Sequence, residues 1–224
     1  MPMLDLFFQI QGTTFPVDHG YPLYSAISKI CPALHANNGG AELKGSVGIH
    51  PVHGRYIGNR QLALTDQSRL AVRIPHEDIV KFMILAGKRI CVDGHWIRIG
   101  IPSPFLFSVS SALISHLVVI KGYMEEDRFL QAVRDQLEKL EIKGNACIGT
   151  RKTEISVEGR QDGAGKGQPL RRTLNIKGRE IVGFSVIVEK LSPEGSIQLQ
   201  ERGIGGRRRF GCGIFTPMMQ EDKP

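Results

Sequence analysis

Apolar and polar residues recur along the chain with spacings that predict two similar series of strands and helices. The apolar stretch Met3 to Gln11 fits a central strand. Pro22 opens a helix with apolar residues at helical spacing, and Pro32 ends or kinks it. The rest of this series is two strands, a helix and a further strand, predicted over residues 47–64, 69–74, 76–86 and 89–101.

The second series follows the proline-rich stretch at residues 101–104 and opens with an apolar strand over 113–120. The clearest helix of the chain runs from Glu125 to Glu141, with acidic residues at its start and one apolar stripe. Strands, a short helix and a last strand complete the series, predicted over 146–157, 170–176, 181–188, 197–202 and 210–215.

The first series has the order strand, helix, strand, strand, helix, strand, and the second approximates this order, with three predicted strands between its two helices. This order predicts an α+β protein built from two tandem ferredoxin-like domains with the βαββαβ topology. The proline-rich stretch Ile101-Pro102-Ser103-Pro104 separates the two series of elements. The expected domains are therefore residues 1–103 and 104–224.

Positive charge is concentrated in the last third of the chain. The formal net charge is +7, and residues 143–213 hold 14 Lys and Arg against 7 Asp and Glu. A local excess of cations favours a phosphate-rich partner, because each neutralised phosphate releases condensed counterions. An ordinary solvated surface remains the alternative.

Glycines and arginines alternate in groups near the end of this basic region. The stretch Gly203 to Phe215 reads Gly-Ile-Gly-Gly-Arg-Arg-Arg-Phe-Gly-Cys-Gly-Ile-Phe. Such a segment allows positive φ angles and can bring main-chain N–H groups and three guanidinium groups to a polyanion. The alternative is a glycine-rich hairpin whose arginines only keep it soluble. The stretch Gly203 to Phe215 lacks the Gly-Lys-Ser/Thr ending of a phosphate loop, and the residues after its arginines predict a strand rather than a helix. Both observations disfavour the binding of a nucleotide cofactor.

Other classes of protein receive little support from the composition. No apolar run is long enough to span a bilayer, and residues 1–5 do not begin a signal peptide, so we expect a cytoplasmic location without membrane contact. The four cysteines stand far apart and predict buried free thiols, with no structural metal site and no cofactor.

The Gly-x-Gly, basic insert, Gly-x-Gly pattern before the last strand resembles the signature loop of CRISPR-associated endoribonucleases that process repeat RNA. The early helix around Leu23-Tyr24-Ser25-Ala26-Ile27 also resembles the first helix of that family, after which a loop commonly carries the catalytic histidine. The resemblance implies tandem ferredoxin-like domains, binding of repeat RNA as a stem-loop, and cleavage without a metal. It further implies attack of the ribose 2′-hydroxyl on the adjacent phosphate and assembly with other subunits of a CRISPR effector complex.

Histidine suits the proton transfer in this reaction because it titrates near neutrality, and arginine or lysine suits the charge that builds on the phosphate. His35, at the exit of the first helix, matches the position of the family's catalytic histidine, and Tyr24 is expected in the same site. His50 is the second candidate, and His53 or a site without histidine is the remaining alternative. A metal pair formed by His50 and His53 lacks an evident third ligand. Lys44 is either an electrostatic helper at the phosphate or a surface lysine.

Contacts with RNA are expected from glycines and cations of the last third of the chain. The expected residues are Arg151, Lys152, Arg171, Arg172, Gly203, Gly205, Arg207, Arg208, Arg209, Gly211 and Gly213. Phe210 either stacks on a base or belongs to the core. A non-catalytic subunit that holds the end of a guide RNA is the alternative function, and a binder of single strands like an RRM protein lacks its aromatic strand motif.

Overall fold

The computed structural model describes residues 2–34, 47–150 and 169–218. The chain divides into two compact units. The first unit comprises residues up to Phe107, together with Leu174–Arg179 and Arg208–Gly211, and the second comprises the rest. No helix in the described ranges is both long and apolar enough to cross a membrane.

Up to Phe107, the described residues of the first unit form eight strands and two short helices. The strands are Met3–Gln11 (β1), Thr14–Pro16 (β2), Gly48–Ile49 (β3), Arg55–Gly58 (β4), Gln61–Ala63 (β5), Arg69–Pro75 (β6), Arg89–Val92 (β7) and His95–Leu106 (β8). The α-helices are Gly20–Ser28 (α1) and Ile79–Phe82 (α2), and 3₁₀ turns lie at Pro32–Leu34, His76–Asp78, Met83–Leu85 and Arg208–Phe210. The predicted helix over 76–86 is therefore a short α-helix between two 3₁₀ turns.

The main sheet of this unit has the strand order β3-β6-β1-β8-β7, with antiparallel neighbours throughout. Leaving aside the edge strand β7, this is the strand order of a ferredoxin-like domain. One face of β1 carries Leu4, Leu6, Phe8 and Ile10, which join the core with residues of α1 such as Ile27. The alternate residues of β1 point to the opposite face of the sheet.

The division between the units lies later than the sequence analysis placed it. β8 continues through Pro102 and Pro104 to Leu106, and it stays paired with β1 there, with Pro104 opposite Leu6. The prolines are accommodated because this part of β8 has β1 on one side only, and proline is tolerated on an edge. The first compact unit thus extends to Phe107, beyond the expected boundary after Ser103, and it also includes Leu174–Arg179 and Arg208–Gly211.

The second sheet repeats the arrangement of the first. Its elements are Ala112–Val118 (β9), Glu126–Lys139 (α3), Asn145–Ile148 (β10), Arg171–Ile176 (β11), Arg179–Glu189 (β12), Pro193–Arg202 (α4) and Thr216–Pro217 (β13). The strand order is β10-β12-β9-β13, and β11 pairs with β12. The apolar stripe of α3, which includes Phe129 and Val133, packs on Phe184 and its neighbours. The predicted α+β class with tandem ferredoxin-like domains is confirmed.

The last strand is shorter and later than predicted. Residues 210–215 were expected to be extended, but the chain makes a 3₁₀ turn at Arg208–Phe210 and pairs only at Thr216–Pro217. Gly211 and Gly213 have φ angles of 85° and 66°, which a strand does not allow. The glycine-rich segment is therefore a longer loop than the sequence suggested.

Candidate functional site

Four residues that the sequence analysis singled out lie outside the described residues. They are His35, Lys44, Arg151 and Lys152. The described chain reaches Leu34, directly before His35, and resumes at Val47.

Tyr24 lies in α1 and reaches the end of the described segment. Its hydroxyl donates a hydrogen bond to the carbonyl oxygen of Leu34 at 3.3 Å. Nη1 of Arg209 lies 3.4 Å from the same oxygen. A carbonyl oxygen has two lone pairs and can accept both bonds. The glycine-rich segment and the first helix thus converge on the peptide that precedes His35.

Arg209 reaches Leu34 because Arg208–Gly211 packs closely on α1. The ring of Phe210 meets the rings of Tyr21 and Tyr24 edge to face, with centroids 5.8 and 5.1 Å apart. At Gly20, in the first turn of α1, a Cβ atom would collide with the carbonyl oxygen of Phe210. Only glycine therefore fits at this position. Phe210 is half-buried and packs against protein aromatic rings.

A buried charge cluster lies on the sheet face opposite the helices. Asp5 of β1 and Arg73 of β6 stand directly opposite each other, and Arg73 donates to both carboxylate oxygens, at 2.7 and 2.8 Å. Nε2 of His50 lies 3.0 Å from Oδ1 of Asp5, so Nε2–H donates to the carboxylate. The guanidinium of Arg73 also lies over the ring of Phe107, 4.5 Å from its centroid.

The cluster shifts the pKa values of its members in opposite ways. Burial alone would raise the pKa of Asp5, but the bonds from Arg73 and His50 outweigh it and hold that pKa well below its usual range. Burial lowers the pKa of His50, although the Asp5 carboxylate opposes the shift. His50 is 9% exposed and stays neutral in this environment. The hydrogen bond to Asp5 satisfies the Nε2–H group of this buried imidazole.

Arg208 belongs to the same neighbourhood. Its Nε and Nη2 atoms are buried, and burial together with the nearby charge of Arg73 lowers its pKa to about 10, while Asp5 opposes the shift. Arg208 therefore stays charged at neutral pH and is directed into the first unit. Arg207, by contrast, is exposed. The three consecutive arginines thus have three different environments.

Two other histidines have clear structural partners. Nδ1 of His19 donates to the carbonyl oxygen of Pro16 at 2.7 Å, and Nε2 accepts from the amide of Val52 at 2.9 Å. This pair of bonds requires the neutral Nδ1–H tautomer, and burial lowers the pKa of His19 in agreement with it. His95 shares a hydrogen bond with the hydroxyl of Thr14.

The glycine amides of the loop are used within the second unit. Gly205 donates to Oε1 of Gln136, Gly206 to the carbonyl of Val119, and Gly213 to the carbonyl of Leu117, at 2.8, 3.0 and 2.7 Å. Gly205 and Gly213 adopt positive φ angles and approach backbone atoms so closely that a Cβ atom would clash. These glycines therefore shape the loop through internal contacts.

The remaining predicted RNA-binding residues lie at the surface of the second sheet. Arg171 and Arg172 are exposed residues of β11. Arg171 also lines an open pocket with Arg128 and the acidic first turn of α3. Within the described ranges, no three His, Cys, Asp or Glu side chains are grouped so that they could hold a metal ion.

The sequence analysis did not identify Asp5 and Arg73. Both are single charged residues in otherwise apolar strands, Met-Leu-Asp-Leu-Phe and Leu-Ala-Val-Arg-Ile. A lone charge at such a position needs a partner when it is buried, so the two residues could have been paired as an ion pair between neighbouring strands.

Comparisons with known proteins agree with this fold. A family model described as Cas6 Crispr matches residues 4–220. A curated relative, the CRISPR-associated endonuclease Cas6 of Myxococcus xanthus (strain DK1622), is 30% identical over 217 residues, which are 97% of this chain and 82% of that protein.

Solved structures show the same arrangement at low sequence identity. A CRISPR associated protein Cas6 has a TM-score of 0.63 and 11% identity, covering 97% of this chain and 100% of its own. A structure described as a Cas6-related gene from Pyrococcus furiosus has a TM-score of 0.64 and 14% identity, covering 98% and 100%. These two likenesses concern the fold. The family model and the curated relative each extend over nearly the whole chain, and the chain belongs to the Cas6 family.

Proposed function

We propose that the chain is an endoribonuclease that binds CRISPR repeat RNA and cleaves the precursor transcript into guide RNAs. The observation that carries this proposal is the family match over residues 4–220, together with a curated relative named as an endonuclease. The net charge of +7 suits a polyanionic substrate. We place the activity in the cytoplasm.

The proposed reaction needs no metal ion. The 2′-oxygen of the ribose attacks the adjacent phosphorus, the bond from phosphorus to the 5′-oxygen breaks, and a 2′,3′-cyclic phosphate and a 5′-hydroxyl result. One proton leaves the 2′-hydroxyl and one reaches the 5′-oxygen. A histidine can carry either transfer, and cations stabilise the charge on the phosphate oxygens.

We assign the proton transfer to His35. Its place directly after Leu34, whose carbonyl is held by Tyr24 and Arg209, supports this choice, as does the family resemblance of the first helix. His50 remains the second candidate, but its burial and its bond to Asp5 favour a structural role. Tyr24 acts in the same site by holding Leu34.

We propose that the exposed cations of the last third of the chain hold the RNA. Arg171, Arg172 and Arg207 present their side chains to solvent. Arg151 and Lys152, which lie outside the described residues, are included in the proposal from the sequence alone. These contacts position the RNA backbone more than they read its bases. We further propose that the protein keeps its product and carries it into an effector complex.

Cleavage of a CRISPR repeat RNA in vitro tests the proposal. The RNA is incubated with the purified protein in EDTA, and we expect one cut whose upstream fragment ends in a cyclic phosphate. Fragments that acid treatment does not shift on a gel would contradict the chemistry. An activity that EDTA abolishes and Mg²⁺ restores would contradict the metal-free mechanism.

The variants His35→Ala and His50→Ala separate the candidates. We expect His35→Ala to lose cleavage by at least about 100-fold with RNA binding retained, because a positioned acid or base contributes roughly 10²–10⁴-fold. If wild-type protein binds the repeat RNA tightly and never cuts it, the alternative of a non-catalytic subunit holding a guide-RNA end is correct.

A further inference from the structure

The outer face of the β7–β8 hairpin combines two arginines with an exposed aromatic ring. Burial alternates along β7 and from Trp96 to Ile99 in β8: Ile90, Val92 and Ile97 are buried in the core, and their neighbours Arg89, Cys91, Trp96 and Arg98 are exposed. The exposed set on this face is Arg89, Cys91, Trp96 and Arg98. The neighbouring strand β1 adds Gln11, directly opposite Arg98.

Arg89 and Arg98 occupy a position that like charges normally avoid. They stand directly opposite each other in the ladder, and residues paired in this way point to the same face of the sheet. Like charges at such a pair are destabilising. An anion between or beside the two guanidinium groups removes this cost and adds charge-assisted bonds.

Trp96 supplies an apolar surface beside the two charges. It is 58% exposed, and the guanidinium of Arg89 lies 5.5 Å from its ring centroid. This cation–π contact accounts for the place of Arg89, but it does not account for Arg98 on the opposite strand. The exposed aromatic ring offers a flat face on which a base can stack.

We propose that this face of the first unit binds single-stranded RNA, with a base stacked on Trp96 and the flanking phosphates held by Arg89 and Arg98. Aromatic side chains on an open sheet stack bases in this way, and each base offers a flat face regardless of sequence. In the complex, the contacts of Arg89 and Arg98 with phosphate offset the repulsion between the two guanidinium groups. Gln11 lies where it can add a hydrogen bond.

The RNA bound here is the unpaired sequence that flanks the repeat stem, an assignment that rests on the proposed function. A duplex keeps its bases stacked within the helix, so it cannot place one on Trp96. The hairpin face is therefore a second contact for the same transcript, separate from the cations of the last third of the chain.

Trp96 is the only tryptophan in the chain, so its fluorescence reports this site directly. The full-length protein is titrated with three RNAs: the repeat with its single-stranded flanks, the stem alone, and a ten-nucleotide flank. We expect the flanked repeat and the flank to quench the emission, and the stem alone to leave it unchanged.

Variants then measure the contribution of each group by filter binding. We expect Trp96→Leu to weaken binding of the flanked repeat roughly tenfold, because stacking on an aromatic ring contributes about that much per base. Replacing Arg89 and Arg98 by Ala should lower the slope of log K against log salt by about 1.4, at roughly 0.7 for each phosphate contact. The control Arg134→Ala removes an exposed cation of α3 and should change neither value.

The outcomes distinguish this inference from the proposed function. Unchanged emission at saturating flanked repeat, or wild-type affinity in Trp96→Leu, overturns the inference even if the protein cleaves normally. Quenching by the stem alone overturns it as well. Quenching by the flank in a protein that never cuts RNA upholds the inference while the proposed activity fails. All of these residues are exposed, and thermal melting curves verify that the variants are folded.

Discussion

Arg209 donates from Nη1 to the carbonyl oxygen of Leu34 over 3.4 Å, although 175 positions separate the two residues in the chain. Tyr24 donates to the same oxygen. The peptide before His35 is thus held by one residue of the first helix and one of the glycine-rich segment. We therefore expect Arg209 and the exposed Arg207 to contribute differently to cleavage and to RNA binding.

Replacing Arg209 by Met should slow cleavage more than it weakens binding. The change removes a hydrogen bond from a charged group, which contributes about 1.5–3 kcal/mol, so we expect roughly a tenfold or larger loss of the single-turnover rate. The control Arg207→Ala removes an exposed cation, and it should reduce the salt dependence of binding while the rate at saturation is kept. Equal effects of the two variants on affinity and rate would show that Arg209 is a phosphate contact.

Tyr24→Phe should reduce the cleavage rate by less than about tenfold, because a neutral hydrogen bond contributes about 0.5–1.5 kcal/mol. The hydroxyl already donates to Leu34, and the ring packing on Phe210 is kept in the variant. Single-turnover rates at several pH values measure the effect. A loss of about 100-fold or more would instead make Tyr24 an acid or base in the reaction.

Asp5→Asn should destabilise the protein strongly. The substitution removes the carboxylate that compensates the buried guanidinium of Arg73, and breaking a buried ion pair in this way costs about 3–5 kcal/mol. Urea unfolding measures the change. Asp135→Asn on the exposed side of α3 is the matched control and should stay within about 0.5 kcal/mol of wild type. Similar stability of the two variants would mean that the Asp5 cluster contributes nothing.

Stability should fall in two steps as the pH is lowered. His19 and His50 have pKa values lowered by burial, so the unfolded chain binds their protons first, and stability is lost as the pH falls below their ordinary value of 6.5. Asp5 has a lowered pKa, so its contribution is complete above 3.8 and is lost as the pH falls further. Urea midpoints measured from pH 8 to pH 3 report both steps.

His50→Gln should shrink the first step, since it removes one of the two buried groups that gain a proton on unfolding. The exposed His76 offers a control for the substitution itself, and His76→Gln should leave the urea midpoint at pH 8 unchanged. A flat profile between pH 8 and pH 5 in wild-type protein would contradict the neutral state of both buried imidazoles.

Gly213→Ala and Gly206→Ala should differ sharply. Gly213 has a φ of 66°, and a Cβ atom there would collide with the carbonyl oxygen of Ile204, so we expect a loss of more than about 1 kcal/mol. Gly206 has no atom within 4 Å of the added carbon and should tolerate alanine. Thermal melting compares the two proteins. Equal tolerance would mean that the glycines serve a ligand rather than the shape of the loop.

The order of elements was predictable because periodic apolar patterns are local. The stripe of α3 appears where expected. The helix predicted over 197–202 begins earlier, at Pro193, because Ser192 caps it by accepting a hydrogen bond from the amide of Gly195. Boundaries were less predictable, since the prolines of β8 read as a break until their edge position was known.

The candidate site was predicted only in part. The sequence pointed to Tyr24 and to the three arginines, but it treated Arg207, Arg208 and Arg209 as equivalent. In the structure Arg207 is exposed, Arg208 is enclosed and Arg209 is bound to Leu34. This difference depends on how the 3₁₀ turn at Arg208–Phe210 packs on α1. The bond of His50 to Asp5 likewise could not be predicted, because the two residues are 45 positions apart in the chain.

By itself the sequence determined the two βαββαβ series, the basic last third and the glycine-rich loop, because periodicity, charge and backbone freedom belong to neighbouring residues. Only the tertiary structure decided which charged groups meet. Asp5 and Arg73 are 68 positions apart, and Leu34 and Arg209 are 175 apart. Contacts over such separations are set by strand register and by helix packing, and no local pattern in the chain encodes either of them.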